Sequence, residues 1–441
     1  MALPVKFFWR KRQTSNKMNG WLALSPLFVF ILIYILSAVF AHSFYAVPIS
    51  VPFILATVYA AAIMRQYETT SKIVSIFSDG AGNRNVLLMI WMVILAGAFA
   101  STSKSIGAID AITDIVVAYL PGRFLYAGLF LAACVISVSI GTNIGTIVAL
   151  LPIVINIADE TGLNLAFLSA IVVGGGTFGD NISFISDTTI AATSTLGCEQ
   201  KDKFRANIQL VGPAALIVCI IYLIAGNGVN INSSSANVQW VTLLPYIATI
   251  TFAIIGVNVV TVLTLGIMLN GLIGVFKGSY SIIGWMQSIG EGIGGLNELI
   301  IVIMISGGML EIIRYNGGID FIVHKITKMI HGKRSGEFSI ATLVSIATLC
   351  TANNTIAIIT TGKIAKEITE KNGINPIKTA SILDTYSCVF QSLIPYGMHL
   401  LLVSAMTQIN ALGIIKYLYY PFILIVISSL AILFRLPRKY S

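Results

Sequence analysis

The chain has 441 residues, of which 56% are hydrophobic and only 10% charged, with a mean hydropathy of +0.89. Soluble domains carry about 25% charged residues, so this composition excludes an ordinary soluble enzyme or binding module and makes the bilayer the solvent. The net charge of +9 does not indicate nucleic acid, because the lysines and arginines gather in short loops, where they set orientation in the membrane.

In chain order, residues 1–20 form a basic cytoplasmic segment with Lys6, Arg10, Lys11, Arg12 and Lys17. It lacks the apolar run and small-residue site of a cleavable signal. Residues 21–41 and 46–64 are the first two spans, 65–85 is a polar inside connection, and 86–103 is the third span. Residues 105–120 are amphipathic and suit the outer interface. The apolar arms 124–140 and 144–157 flank the polar tip Gly141-Thr142-Asn143, which predicts a re-entrant hairpin with a protein-enclosed bend. The span from 165 to about 195 carries the most polar stretch. A basic loop with Lys201, Lys203 and Arg205 follows inside, and 208–225 crosses outward.

The pattern then starts again after 228–238, an external linker without lysine or arginine. Residues 241–255, 257–275 and 296–313 are spans, 279–295 is a glycine-rich amphipathic connection, and 321–334 is basic and interfacial. The arms 338–349 and 356–368 enclose a second polar tip at 351–355. The stretch 378–410 is broken at Pro395-Tyr396-Gly397, and 412–434 precedes a basic cytoplasmic tail, 435–441. At an offset of 210, Gly97 matches Gly307, Asp110 matches Asp320 and Asn143 matches Asn353. Each unit holds five spans and one hairpin; five is odd, so the second unit is inverted. The expected fold is an all-α polytopic membrane protein: about ten transmembrane helices and two re-entrant hairpins, in two inverted repeats (21–227 and 239–434) with broken helices. Such repeats mark secondary transporters that bind at the midplane.

The polar stretch reads GGGTFGDNISFISDTT at 174–189. A charge at the bilayer centre costs at least roughly 2.5–3.5 kcal/mol, so Asp180 and Asp187 must face a protein interior and mark a path or site. On a continuous helix Asp180, Ser183 and Asp187 share one face, and the triple glycine loosens the backbone beside them. Carboxylates with the hydroxyls of Ser183, Ser186 and Thr188 suit a small hard cation, and Thr142 and Asn143 at the hairpin tip add neutral oxygens. A hydrogen-bonded polar patch between helices is the competing reading. In the second half Asp384, Ser387 and Gln391 repeat the same spacing, near the tip residues Asn353, Asn354 and Thr355.

These motifs, with NGGID at 316–320 and DTYSCVFQSLIPYG at 384–397, resemble the NhaC-type sodium/proton antiporter family of the ion transporter superfamily, over about 22–434. The resemblance implies a cation site on Asp180, Ser183, Ser186, Asp187 and Thr188. The family's usual proline after the first serine is Phe184 here.

Other candidates are weaker. Glu311 is a candidate proton carrier or the partner of Arg314. Asp110 and Asp320 suit helix capping, His399 suits packing, and His324 and His331 suit an interface. Cys134, Cys198, Cys219, Cys350 and Cys388 stand singly and read as packing residues. The expected function is secondary transport in the inner (plasma) membrane, with both termini cytoplasmic. Sodium and protons compete for Asp180 and Asp187, and no cofactor is involved. A sodium-coupled carrier of an amino acid or small organic anion is the alternative. An ion channel and an intramembrane enzyme are disfavoured by the occluding hairpin tips and by the lack of a paired nucleophile and base. A homodimer is left open.

Overall fold

The computed structural model describes residues 18–40, 47–119, 121–184, 186–229, 240–255, 257–319, 321, 325 and 332–440. The basic N-terminal cluster, the linker residues 230–239, Asp320, His324 and His331 lie outside the described residues.

Among the described residues every regular element is helical. The first half runs α1 (Gly20–Phe40), α2 (Ser50–Met64), α3 (Thr70–Ala81), α4 (Arg84–Ser105), α5 (Ala108–Tyr119), α6 (Gly122–Ile140), α7 (Asn143–Thr161), α8 (Leu165–Ile182), α9 (Asp187–Leu196) and α10 (Gln200–Gly226). The second runs α11 (Trp240–Ile254), α12 (Val259–Lys277), α13 (Ile282–Gly294), α14 (Asn297–Tyr315), α15 (Lys333–Thr351), α16 (Asn354–Asn372), α17 (Pro376–Leu393), α18 (Met398–Thr407), α19 (Ala411–Ile415) and α20 (Tyr419–Leu433).

Eight of these stretches are long and apolar enough to cross a bilayer, or nine if α13 and α14, bent by 45°, are one span. Six expected spans are among the eight: α1, α4, α8 with α9, α10, α12, and α17 with α18. The hairpin arms α6 and α7 are the other two, while α2, α11 and α20 are shorter apolar helices. Two connections differ from expectation. Residues 65–85 contain the amphipathic helix α3, capped by Thr69, whose side chain accepts a hydrogen bond from Lys72 N–H at 3.4 Å. The loop expected at 199–205 is already helical from Gln200.

Both hairpins turn within two residues. α6 stops at Gly141, whose φ of 76° is open to glycine without a Cβ clash, and the Thr142 hydroxyl caps α7 by accepting from Gly145 N–H at 3.1 Å. The second turn places Ala352 at φ 47°, and Asn353 Oδ1 caps α16 by accepting from Ile356 N–H at 2.9 Å.

The halves repeat closely. α6, α7, α8 and α9 begin at 122, 143, 165 and 187; α15, α16, α17 and α18 begin at 333, 354, 376 and 398, each 211 residues later. This frame pairs Asp180 with Gln391, and Asp384 with Val173, so the repeated spacing seen in the sequence is not the structural register. Packing follows the repeat: α7 lies against α8 and α18, and α16 against α17 and α9. Likewise α3 packs on α14, and α4 on α13. At the second of these crossings a Cβ on Gly97 would overlap the Gly292 carbonyl oxygen, and one on Gly292 would overlap that of Gly97.

Candidate cation site

α8 passes through Gly174, Gly175 and Gly176 without a break, so the expected loosening does not occur there. The glycines instead admit neighbours: a Cβ on Gly175 would meet Ala133 of α6, and one on Gly176 would overlap the Asn143 side chain. The break comes later, where Ser183 and Ser186 turn to extended ψ values of 136° and 135°. Asp180 and Asp187 therefore sit on different helices, not on one face. In the 211-residue frame the break in α17/α18 uses Pro395, which biases Ile394 toward extended backbone. Its counterpart Phe184 has no such constraint; it points outward and stacks on Phe204 of α10, with ring centroids 4.8 Å apart.

Breaking a buried helix frees backbone carbonyls that need donors. The Asn181 carbonyl finds two: Lys203 Nζ at 2.8 Å and Asn207 Nδ2 at 2.8 Å. The same two nitrogens reach Asp384 Oδ2, at 2.6 Å and 3.0 Å. Lys203 Nζ also donates to Thr189 Oγ1 at 2.7 Å. The ammonium and the carboxylate of this pair are 1% and 0% exposed. Lys203, read from the sequence as a loop charge, is thus a buried ion-pair partner.

One residue before Asn181, the buried Asp180 accepts a hydrogen bond on Oδ1 from the Asn143 backbone N–H at 2.9 Å. This places a carboxylate at the N-terminus of α7, where the helix dipole favours negative charge. The Asn143 amide nitrogen donates to Thr177 Oγ1 at 3.1 Å and Val173 O at 3.3 Å, and lies 3.3 Å from His399 Nδ1. Four buried amide oxygens have no donor among the described residues: Asn143 Oδ1, Asn181 Oδ1, Asn207 Oδ1 and Gln391 Oε1. Unpaired buried acceptors are costly, and a cation is the ligand that acceptors without protons suit.

The remaining sequence candidates separate by role. Ser183 is buried at the end of α8, and Ser186 Oγ bonds Thr188 Oγ1 at 2.8 Å. Thr188 Oγ1 accepts from Cys388 Sγ at 3.6 Å, and Asn354 Nδ2 reaches the same sulfur at 3.7 Å, which ties the second hairpin tip to the start of α9. Asp187 is exposed in the first turn of α9. Thr142 and Asn353 spend their side-chain oxygens on caps. Asn354 Oδ1 accepts from the N–H of the half-buried Thr355 at 2.9 Å. Ser387 Oγ donates to the Asp384 carbonyl at 3.0 Å. Glu311 pairs with Arg314 at 2.9 Å on α14 and packs over Gly80 of α3; none of its described bonds reaches the central cluster.

Sequence reasoning missed Lys203 and Asn207 and placed His399 among packing residues. A signal existed: Lys203, Asn207, Val211, Ala214 and Val218 fall on one stripe of α10, and all are buried.

Residues 12–227 and 230–436 match the family described as the Na+/H+ antiporter family. The chain belongs to that family. It is 25% identical to the Na+/H+ antiporter NhaC of Bacillus subtilis (strain 168) over 405 residues, covering 82% of this chain and 86% of the relative. To NhaC of Alkalihalophilus pseudofirmus it is 22% identical over 381 residues, 78% and 81% of the two chains. The malate-2H+/Na+-lactate antiporter of B. subtilis is 27% identical over 146 residues, 33% of this chain and 31% of that one. As a Na+/H+ antiporter family member, the chain is a multi-pass membrane transporter rather than an enzyme.

Proposed function

We propose that the protein exchanges sodium ions for protons at one membrane-embedded site centred on Asp180, with both cations competing for its carboxylate. One observation carries this: of two buried carboxylates, Asp384 is paired with the buried Lys203 ammonium at 2.6 Å, while Asp180 has no ion-pair partner among the described residues. The cluster keeps an excess of one negative charge in a low-dielectric interior, where an uncompensated charge is strongly unfavourable. One sodium ion or one proton removes that excess. Asp180 Oδ2 and the orphan amide oxygens of Asn143 and Gln391 would supply sodium ligands without further charge. The loaded and protonated forms are neutral and can reorient; the empty form is charged and cannot. Competition alone then yields exchange.

The 211-residue repeat of hairpin and broken helix supports two inverted repeats, 21–227 and 239–434, facing this site from opposite sides of the membrane. Both termini are then cytoplasmic. Cysteine labelling that reports Met1 inside and Ser441 outside would overturn this topology.

The partial similarity to a malate and lactate exchanger motivates a second reading, in which a carboxylate travels with sodium. Both buried lysines among the described residues argue against it, since Lys203 pairs with Asp384 and Lys378 with Glu337 at 2.9 Å. Proteoliposomes with an internal pH dye test both readings. Sodium or lithium pulses are expected to release protons across pH 6–9, with the half-saturating sodium concentration falling as pH rises. Proton movement that needs an added carboxylate or amino acid would favour the second reading, and none under any condition would reject both.

A further inference from the structure

We infer that Lys203 is a tethered cation filling a second monovalent-cation position, and that it thereby limits the transporter to one exchangeable sodium ion. The inference rests on the proposed exchange at Asp180 and concerns how many ions that cluster accepts. The surroundings of the Lys203 ammonium are those of a bound alkali cation. Its partners are all oxygens: the Asp384 carboxylate at 2.6 Å, the Asn181 carbonyl at 2.8 Å and the Thr189 hydroxyl at 2.7 Å. A carboxylate, a backbone carbonyl and a hydroxyl form the donor set that hard cations take from broken transmembrane helices. All three ammonium protons are used, so the lysine fills this position completely. The partners come from α8, α9 and α17, so the position spans the break and both halves of the chain.

The charge count makes Lys203 a determinant of stoichiometry. With the ammonium in place, Asp180 and Asp384 together accept one further positive charge; without it, they accept two. Nearby, Asn207 Nδ2 at 3.0 Å from Asp384 is neutral and cannot replace the missing charge. A methionine at 203 keeps the length of the stem, removes the charge and vacates the oxygens. The vacated position is then open to sodium, and the doubly negative cluster also becomes competent for a divalent cation, which matches its charge in one step.

Radioactive sodium binding to the purified full-length protein reads this directly. Wild type is expected to bind one sodium per chain with a Hill coefficient near one. Lys203→Met is expected to bind two with a Hill coefficient above one, to become sensitive to manganese or calcium, and to show a larger rise in melting temperature with sodium than wild type. Lys203→Arg keeps a charge at the position and is expected to stay at one sodium. Should Lys203→Met fail to fold without sodium, Lys203→Met combined with Asp384→Asn removes both charges and is expected to bind one. A Lys203→Met or double variant that disagrees with these ion counts overturns the inference while leaving exchange at Asp180 intact. Wild type that neither binds nor moves sodium would instead sink the parent reading.

Discussion

Gly176 and Asn143 meet so closely that no side chain fits between them: a Cβ on Gly176 would overlap the Asn143 amide oxygen. The hairpin tip is seated against α8 at this point, and the seat holds Asn143 N–H at 2.9 Å from Asp180. Gly176→Ala is therefore expected to unseat the tip, costing about 1–3 kcal/mol as overpacking does, and to lose sodium-driven proton movement. Gly174→Ala is the milder comparison, because its nearest neighbour, Tyr420 Cβ, lies at 3.3 Å and needs to give by only a few tenths of an ångström. It is expected to melt within a few degrees of wild type and to transport normally. Equal damage from both would mean the glycines matter only as helix weakeners.

The two hairpin asparagines are expected to fail differently. Asn143→Ala removes an orphan oxygen beside Asp180 and should raise the half-saturating sodium concentration several-fold. Asn353 spends its oxygen capping α16. Asn353→Ala should cost about 1 kcal/mol, as lost N-caps do, with sodium affinity unchanged in the molecules that fold. Thermal melts paired with sodium titrations separate the two, and an affinity loss in Asn353→Ala would place that residue among the ligands.

Asp180 and Asp187 are likewise distinguished by burial. Asp180→Asn keeps the shape and removes the charge, so exchange should vanish at every pH tested. Asp187 sits exposed in the first turn of α9, where the helix dipole favours its negative charge. Asp187→Asn should retain exchange with a weaker apparent sodium affinity. Complete loss in Asp187→Asn, with normal expression, would move the site to the break itself.

Glu311→Gln breaks a half-exposed i,i+3 pair with Arg314. Such pairs contribute about 0.2–0.5 kcal/mol, so stability and the pH profile of transport should both remain near wild type. A shifted pH profile would restore Glu311 as a proton carrier.

Much of the architecture was legible in the sequence because the signals were local. Both hairpins were readable from a polar tip between apolar arms, and the break near Pro395 from the proline. The break after Ile182 was not placed, since Phe184 carries no backbone constraint and its stacking on Phe204 is a tertiary event. The triple glycine was visible but misjudged: helix weakening is a local property, whereas close approach depends on which neighbour arrives. Asp180 and Asn143 were legible as costly polar groups in apolar runs. Lys203 was not, because a lysine beside Lys201 and Arg205 looks like any loop charge until α10 begins three residues earlier and turns it inward. Its partner Asp384 lies in the other half, beyond the reach of any local pattern.

The reciprocal contact of Gly97 with Gly292 has a consequence for biosynthesis. α4 is made long before α13 leaves the ribosome, so its glycine face enters the membrane with nothing to pack on. Lys203 shares that predicament, waiting for Asp384. The N-terminal half must therefore persist in the bilayer as an unfinished surface, with a positive charge held by water or lipid headgroups, until the C-terminal half arrives to close it. A chain ending near 229 should insert and yet remain accessible to membrane proteases, and supplying residues 240–441 as a separate polypeptide should protect it.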